Sequence, residues 1–230
     1  MQSGRMKELC AYGVPMGLQY SITAIGSVIL QVAVNSLGSL SVAAVTAGGK
    51  VLNFLACPFD ALGSTMATYG AQNVGASKYE RLNKGLYSAS LMGCGYSLLA
   101  FAIAWFFGRS LIGLFVSGDS SAQLIELART HMLINVLAYP LLTLVNVVRF
   151  MIQGMGFSMF AILAGVMEMI ARSLAGMFLV PALGFVGAAM GSPLAWVAAD
   201  IFLVPAYFRC RRVLMSQAHH LHVTTRESGV

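Results

Sequence analysis

Six long apolar stretches run along the chain near residues 12–35, 42–70, 86–108, 130–152, 158–180 and 186–208. Short polar or Gly/Pro-containing breaks separate them, such as Leu37-Gly38-Ser39 and Pro181-Ala182-Leu183-Gly184. A hydrocarbon core of about 30 Å needs roughly 20 helical residues, and each stretch meets that length. None alternates strictly between polar and apolar positions, which disfavours a β-barrel. The pattern predicts an all-α integral membrane protein. Its body is a six-transmembrane-helix bundle over residues 1–212, followed by a polar cytoplasmic tail over 213–230. Six spans place both termini on one side.

Composition agrees. Of 230 residues, 58% are apolar and 10% charged, against about 45–50% and about 25% in soluble domains. Mean hydropathy is +0.78. Twenty-two charged side chains cannot coat a globule of this size. Water-soluble classes are excluded, and nucleic-acid binders and disulfide scaffolds with them. Cys10, Cys57, Cys94 and Cys210 show no C-x-x-C spacing and read as small apolar residues. Arg5 and Lys7 precede a first stretch of span length with no small-residue cleavage site, so it reads as a retained helix.

The basic residues predict the orientation. With cytoplasmic termini, the inner segments hold ten: Arg5, Lys7, Lys78, Arg81, Lys84, Arg149, Arg209, Arg211, Arg212 and Arg226. The outer segments hold two, Arg109 and Arg129. This is a positive-inside asymmetry, and it accounts for the net charge of +6. The expected location is a plasma (inner) membrane, of bacterial type. In the outer segment 109–129, Ser120-Ser121-Ala122-Gln123 has capping-box form, and Leu124 to Ala128 reads as a short surface helix feeding the fourth span. His219, His220 and His222 cluster in the tail with no acid or cysteine partner, so no metal site is expected.

Charges inside spans are expensive, about 2.5–3.5 kcal/mol each on insertion scales, and so point to function. They are Lys50 and Asp60 in the second span, Glu168 and Arg172 in the fifth and Asp200 in the sixth. Arg149 is placed at the cytoplasmic end of the fourth. Glu168 and Arg172, four residues apart, share a helix face and are expected to pair. The pair serves either helix packing or an ion path. Lys50 has no acid one turn away, so it meets another helix or a watery cavity; the P-loop pattern around it is incomplete. Asp60 either reaches the interface or serves function. Gln19, Gln31, Asn35, Asn53, Asn135, Asn146 and Gln153 supply amides, which tie helices together or line a polar cavity. The substrate or ion path candidates are Gln19, Gln31, Asn35, Lys50, Asn53, Asn146, Glu168, Arg172 and Asp200. Pro15 predicts a bend in the first span. The pairs Gly13/Gly17 and Gly187/Gly191 predict close helix approach.

Gly13-Val14-Pro15-Met16-Gly17-Leu18-Gln19 followed by Asn35-Ser36-Leu37-Gly38 resembles the seventh helix of the multidrug and toxic compound extrusion (MATE) transporters. Ala71-Gln72-Asn73-Val74-Gly75-Ala76 resembles the turn after the eighth. Arg149 with Gln153-Gly154-Met155-Gly156 resembles the turn between the tenth and eleventh. Glu168-Met169-Ile170-Ala171-Arg172 and Gly187 through Trp196 resemble the eleventh and twelfth. The match runs in order from about residue 9 to 212.

The resemblance implies the second six-helix lobe of a two-lobe transporter. Such proteins export cationic and amphipathic compounds bound between the lobes, driven by a proton or sodium gradient. H+ or Na+ is therefore the expected coupling ion, and no other cofactor is expected. The implied partners are the lipid bilayer, small drug-like molecules and a homologous first lobe, in the same longer chain or a separate one. Coupling acids used by relatives on the first lobe's first helix, and in some sodium-coupled members two turns beyond Pro15, have no counterpart here. A flippase for lipid-linked saccharides and a non-transporting membrane fragment are alternative readings. No Ser/His/Asp set can be assembled with His131 as the span histidine, so no enzyme is expected.

Overall fold

The computed structural model describes residues 3–116 and 122–227; side chains of residues 3–9, 11, 12 and 217–227 lie outside the description. Helices fill it in the order α1 (Ser3–Asn35), α2 (Ser39–Gly75), α3 (Glu80–Gly113), α4 (Ala122–Leu137), α5 (Tyr139–Gly154), α6 (Ser158–Leu174), a π-helical turn (Ala175–Leu179), α7 (Val180–Leu183) and α8 (Phe185–Glu227). No strand occurs among the described residues. Gly13–Asn35, Ser39–Gly75, Glu80–Gly113, Ser158–Leu183 and Phe185–Ser216 are each long and apolar enough to cross a membrane. α4 and α5, bent by 50° at a one-residue break, pass the same length and apolarity test taken together, which brings the count to six if the pair is one span. The chain is a multi-pass membrane protein.

α1 packs chiefly on α6, α2 on α5, and α8 on α6 and α5. Both turns at one end of the bundle are Schellman caps. After α2, Lys78 N–H donates to Asn73 O (2.8 Å) and Ser77 N–H to Val74 O (2.9 Å), with Ser77 at φ 56°. After α5, Phe157 N–H donates to Ile152 O (3.1 Å) and Gly156 N–H to Gln153 O (2.9 Å), with Gly156 at φ 92°. Two motifs read from the sequence, Gln-Asn-x-Gly-Ala and Gln-Gly-Met-Gly, are thus the same backbone device closing two neighbouring helices.

The reading of the fourth span needs correction. The segment Leu124–Ala128 is not a separate surface helix: α4 runs unbroken from Ala122 to Leu137, and the bend falls at Ala138, just before Pro140. Proline cannot donate at that point, so the helix bends there instead. Ser120 and Ser121 of the capping box lie outside the described residues. The expected polar tail is helical as far as Glu227 and keeps its polar composition; the tail histidines' side chains are outside the description. α1 is helical on both sides of Pro15.

Gly13 and Gly17 make no close approach, since a Cβ on either would meet nothing within 4 Å. The contact between α1 and α6 lies further along, where a Cβ on Gly26 would sit 2.8 Å from Met169 Cα. Gly187 and Gly191 do permit close packing: added Cβ atoms would fall 2.2 Å from Leu179 O and 2.5 Å from Leu30 Cδ2.

Candidate functional site

The helical period puts Asn146, Arg149 and Gln153 on one stripe of α5, at i, i+3 and i+7. Each reaches a different neighbour. Asn146 Nδ2 lies 3.5 Å from Asp60 Oδ1 on α2. Arg149 Nη2 donates to Glu168 Oε1 on α6. Gln153 Nε2 donates to Gln19 Oε1 on α1 at 2.5 Å. On α6, Arg172 Nη1 donates to the other carboxylate oxygen, Glu168 Oε2, at 3.1 Å. Glu168, Arg149 and Arg172 are 2%, 5% and 5% exposed. A carboxylate held by two guanidinium groups at this burial satisfies its lone pairs with strong charge-assisted bonds.

The expected Glu168–Arg172 pair therefore exists, but as two-thirds of a triad. Arg149 is the residue misplaced by sequence reading: it is not a basic side chain at the membrane surface, and nine rather than ten basic residues remain for the orientation count. Its position on the stripe with Asn146 and Gln153 was the available signal.

Asp200 on α8 is 8% exposed and stands within electrostatic reach of Arg149 and Glu168. Among the described residues neither of its oxygens has a hydrogen-bond donor. The Nε atoms of Arg149 and Arg172 are likewise buried and unpartnered. Asp60 is half-way between the sequence alternatives. It is exposed at its position on α2, yet bonded to Asn146 and close enough to influence Tyr20 together with Arg149.

A half-open cavity of about 200 Å³ lies among α2, α4, α5 and α8. Asn53, His131, Asn135, Tyr139, Ser192 and Trp196 supply its polar and aromatic walls. Tyr139 and Trp196 have ring centroids 6.2 Å apart. Tyr139 is fixed by donating its hydroxyl to Leu52 O (2.9 Å), and Asn135 Nδ2 donates to Ala189 O (3.2 Å). Ser192, Trp196 and Asp200 follow at i, i+4 and i+8 on one face of α8. Asp200 is thus one turn, about 6 Å, beyond the Trp196 wall. A second cavity of about 270 Å³ opens beside Met16, Phe150 and Gln153.

Of the sequence candidates, Gln19, Asn146, Glu168, Arg172 and Asp200 converge on the polar cluster, and Asn53 lines the first cavity. Lys50, Gln31 and Asn35 do not join them. Lys50 is exposed with its Nζ 5.9 Å from the Phe115 ring centroid. Gln31 Nε2 donates to Asn35 Oδ1 (3.0 Å) along their own helix. Tyr139, His131 and Trp196 escaped the candidate set because aromatic residues in an apolar run carry no periodic signal of a cavity. Among the described residues no group of three or more His, Cys, Asp or Glu could hold a metal.

Fold and site together define a multi-span helical membrane protein with a buried charge cluster beside a polar–aromatic cavity. Residues 15–189 match the MatE family, and the chain belongs to it. The fold is similar to that of VcmN, a MATE transporter of Vibrio cholerae crystallised in a bent form: TM-score 0.80, 17% identity, 93% of this chain and 48% of that one. It is similar to a MOP superfamily transporter from Pyrococcus furiosus: TM-score 0.73, 21% identity, 85% of this chain and 43% of that one. An outward-facing multidrug resistance MATE family transporter of the same superfamily gives TM-score 0.73 at 20% identity, over 85% and 43%. This chain spans less than half the length of these relatives. Comparison with curated proteins gives no match.

Proposed function

We propose that this chain is one six-helix lobe, by motif resemblance the second, of a cation-gradient-driven exporter of cationic or amphipathic compounds. The observation that carries the reading is the half-open cavity walled by Tyr139, Trp196, Asn53 and Asn135, in a chain of the MatE family that covers 43–48% of its two-lobe relatives. A cavity open on one side needs an opposing wall, and alternating access needs a second body to rock against. That body is a homologous first lobe, in the same longer chain or a separate one. The aromatic walls suit flat cations through ring faces, and the amides orient polar groups. H+ or Na+ supplies the driving force, and the charge cluster one turn below the cavity is where its binding is sensed. The assembly sits in a plasma membrane, both termini on the cytoplasmic side.

The flippase alternative draws less support. A pyrophosphate headgroup needs unengaged cations, whereas Arg172 and Arg149 are bound to Glu168, leaving Lys50 as the exposed span cation among the described residues.

Dye efflux from cells lacking other pumps tests the reading. The chain alone should give no energy-dependent efflux. Co-expression with, or fusion to, a MATE first lobe should restore it, and Trp196→Ala should abolish the gain. Efflux by the chain alone, or none with any first lobe, would overturn the proposal.

A further inference from the structure

The charge cluster holds one group that the helix-tying triad does not use. Arg149, Arg172 and Glu168 together carry one excess positive charge. Asp200 ionised brings the four to neutrality; Asp200 protonated leaves the triad as it stands. From these observations we infer that Asp200 is a proton-binding site, and that its ionisation competes with Glu168 for Arg149. The inference rests on the transport reading for its use, but the site itself does not.

The geometry selects Asp200 over its neighbours. Glu168 has both oxygens occupied by guanidinium donors, so it offers no free carboxylate oxygen. Asp200 is as buried as the arginines, yet no described residue donates to either oxygen. A buried carboxylate without donors is costly when charged and far less so when it holds a proton. The observed arrangement, with no donor on either oxygen, therefore corresponds to the protonated state. When the proton leaves, a donor is at hand: Arg149 has an unpartnered Nε and lies within electrostatic reach of Asp200. The step balances as –COOH giving –COO⁻ and a proton to water, while Arg149 shares its guanidinium between two carboxylates.

The elements packed against α8 bring few charged groups near Asp200. α5 presents Arg149, and α6 presents Glu168 and Arg172. α1 has no Asp, Glu, Lys or Arg between residues 13 and 35, and residues 175–183 have none. α4 carries Glu126, Arg129 and His131. These lie beyond Asn135, which is level with Ala189, eleven residues or about 16 Å along α8 from Asp200. α8 itself has no other charged residue between 185 and 208. A metal cation is the poorer occupant, because it needs several oxygen ligands and would meet two guanidinium groups instead.

The position gives the proton something to move. Arg149 stands between Asn146 and Gln153, which tie α5 to Asp60 on α2 and to Gln19 on α1. Shifting Arg149 toward α8 loosens its hold on α6 while those two ties remain. The Trp196 wall of the cavity lies one turn away on the same face of α8.

Infrared difference spectra of the full chain in lipid nanodiscs, recorded from alkaline to mildly acid pH, test the inference. A protonated-carboxyl carbonyl band should gain intensity on acidification. It should vanish in Asp200→Asn, persist in Glu168→Gln and shift in frequency in Asp200→Glu, which keeps the acid if the amide variant fails to fold. In Arg149→Gln the band should persist to more alkaline pH, because the competing cation is gone. A titrating band that survives Asp200→Asn, or no titrating band in the wild-type chain, would overturn the proton site. An Asp200 band in a chain that no first lobe converts into an exporter would uphold the site and refute the transport reading.

Discussion

Replacing Glu168 by Gln leaves two buried guanidinium groups, Arg149 and Arg172, without the carboxylate that holds both. Removing one partner of a buried ion pair costs about 3–5 kcal/mol, largely because the remaining charge is stranded. Arg172→Gln acts differently. It keeps Glu168 paired with Arg149 and loses one charge-assisted bond, about 1.5–3 kcal/mol. Glu168→Gln should therefore be the more destabilising by about 2 kcal/mol, the difference between those two ranges. Removing all three charges should recover much of the loss, since a neutral replacement of a buried ionic group is often tolerated. The assay is thermal unfolding of each variant in nanodiscs, with detergent-extracted yield as a second reading. Equal damage from Glu168→Gln and Arg172→Gln would show that Glu168 does not bridge two arginines. A triple variant as unstable as Glu168→Gln would show that stranded charge is not the cause.

Gly187→Ala should destabilise the chain by about 1–3 kcal/mol through overpacking, because its Cβ would fall 2.2 Å from the rigid carbonyl of Leu179. Gly13→Ala, with open space around it, should be silent in the same unfolding measurement. In a Trp105→Phe background, Trp196 is the remaining tryptophan and lines the cavity; a lipophilic aromatic cation should quench its fluorescence, and Asn53→Leu should weaken the quenching several-fold. For orientation, single cysteines at Ser77 and Gly113 in a cysteine-free background should label from opposite sides of intact cells, Gly113→Cys from outside; labelling of Ser77→Cys alone would reverse the topology.

The sequence by itself determined that the chain is all helical and that its helices are long and apolar enough to span a membrane. Apolar runs of twenty or more residues have one stable form in a bilayer, where every backbone donor must be satisfied within its own helix. It also determined the ends: Gln153 to Phe157 and Asn73 to Lys78 carry their turn chemistry locally. The Glu168–Arg172 pair was legible for the same reason, since four residues on a helix is a local distance. What lay between helices was not. Arg149 looked like a residue at a membrane surface because its partner is nineteen positions away on another helix. Gly13 and Gly17 carried the small-residue spacing, but Gly26 meets α6 because packing, not spacing, selects which face is covered. The cavity wall of Tyr139 and Trp196 and the unpartnered carboxylate of Asp200 exist only once α5 and α8 lie side by side. The tertiary structure decided these, because burial of a charge and the shape of a cavity belong to several helices at once and to no single segment.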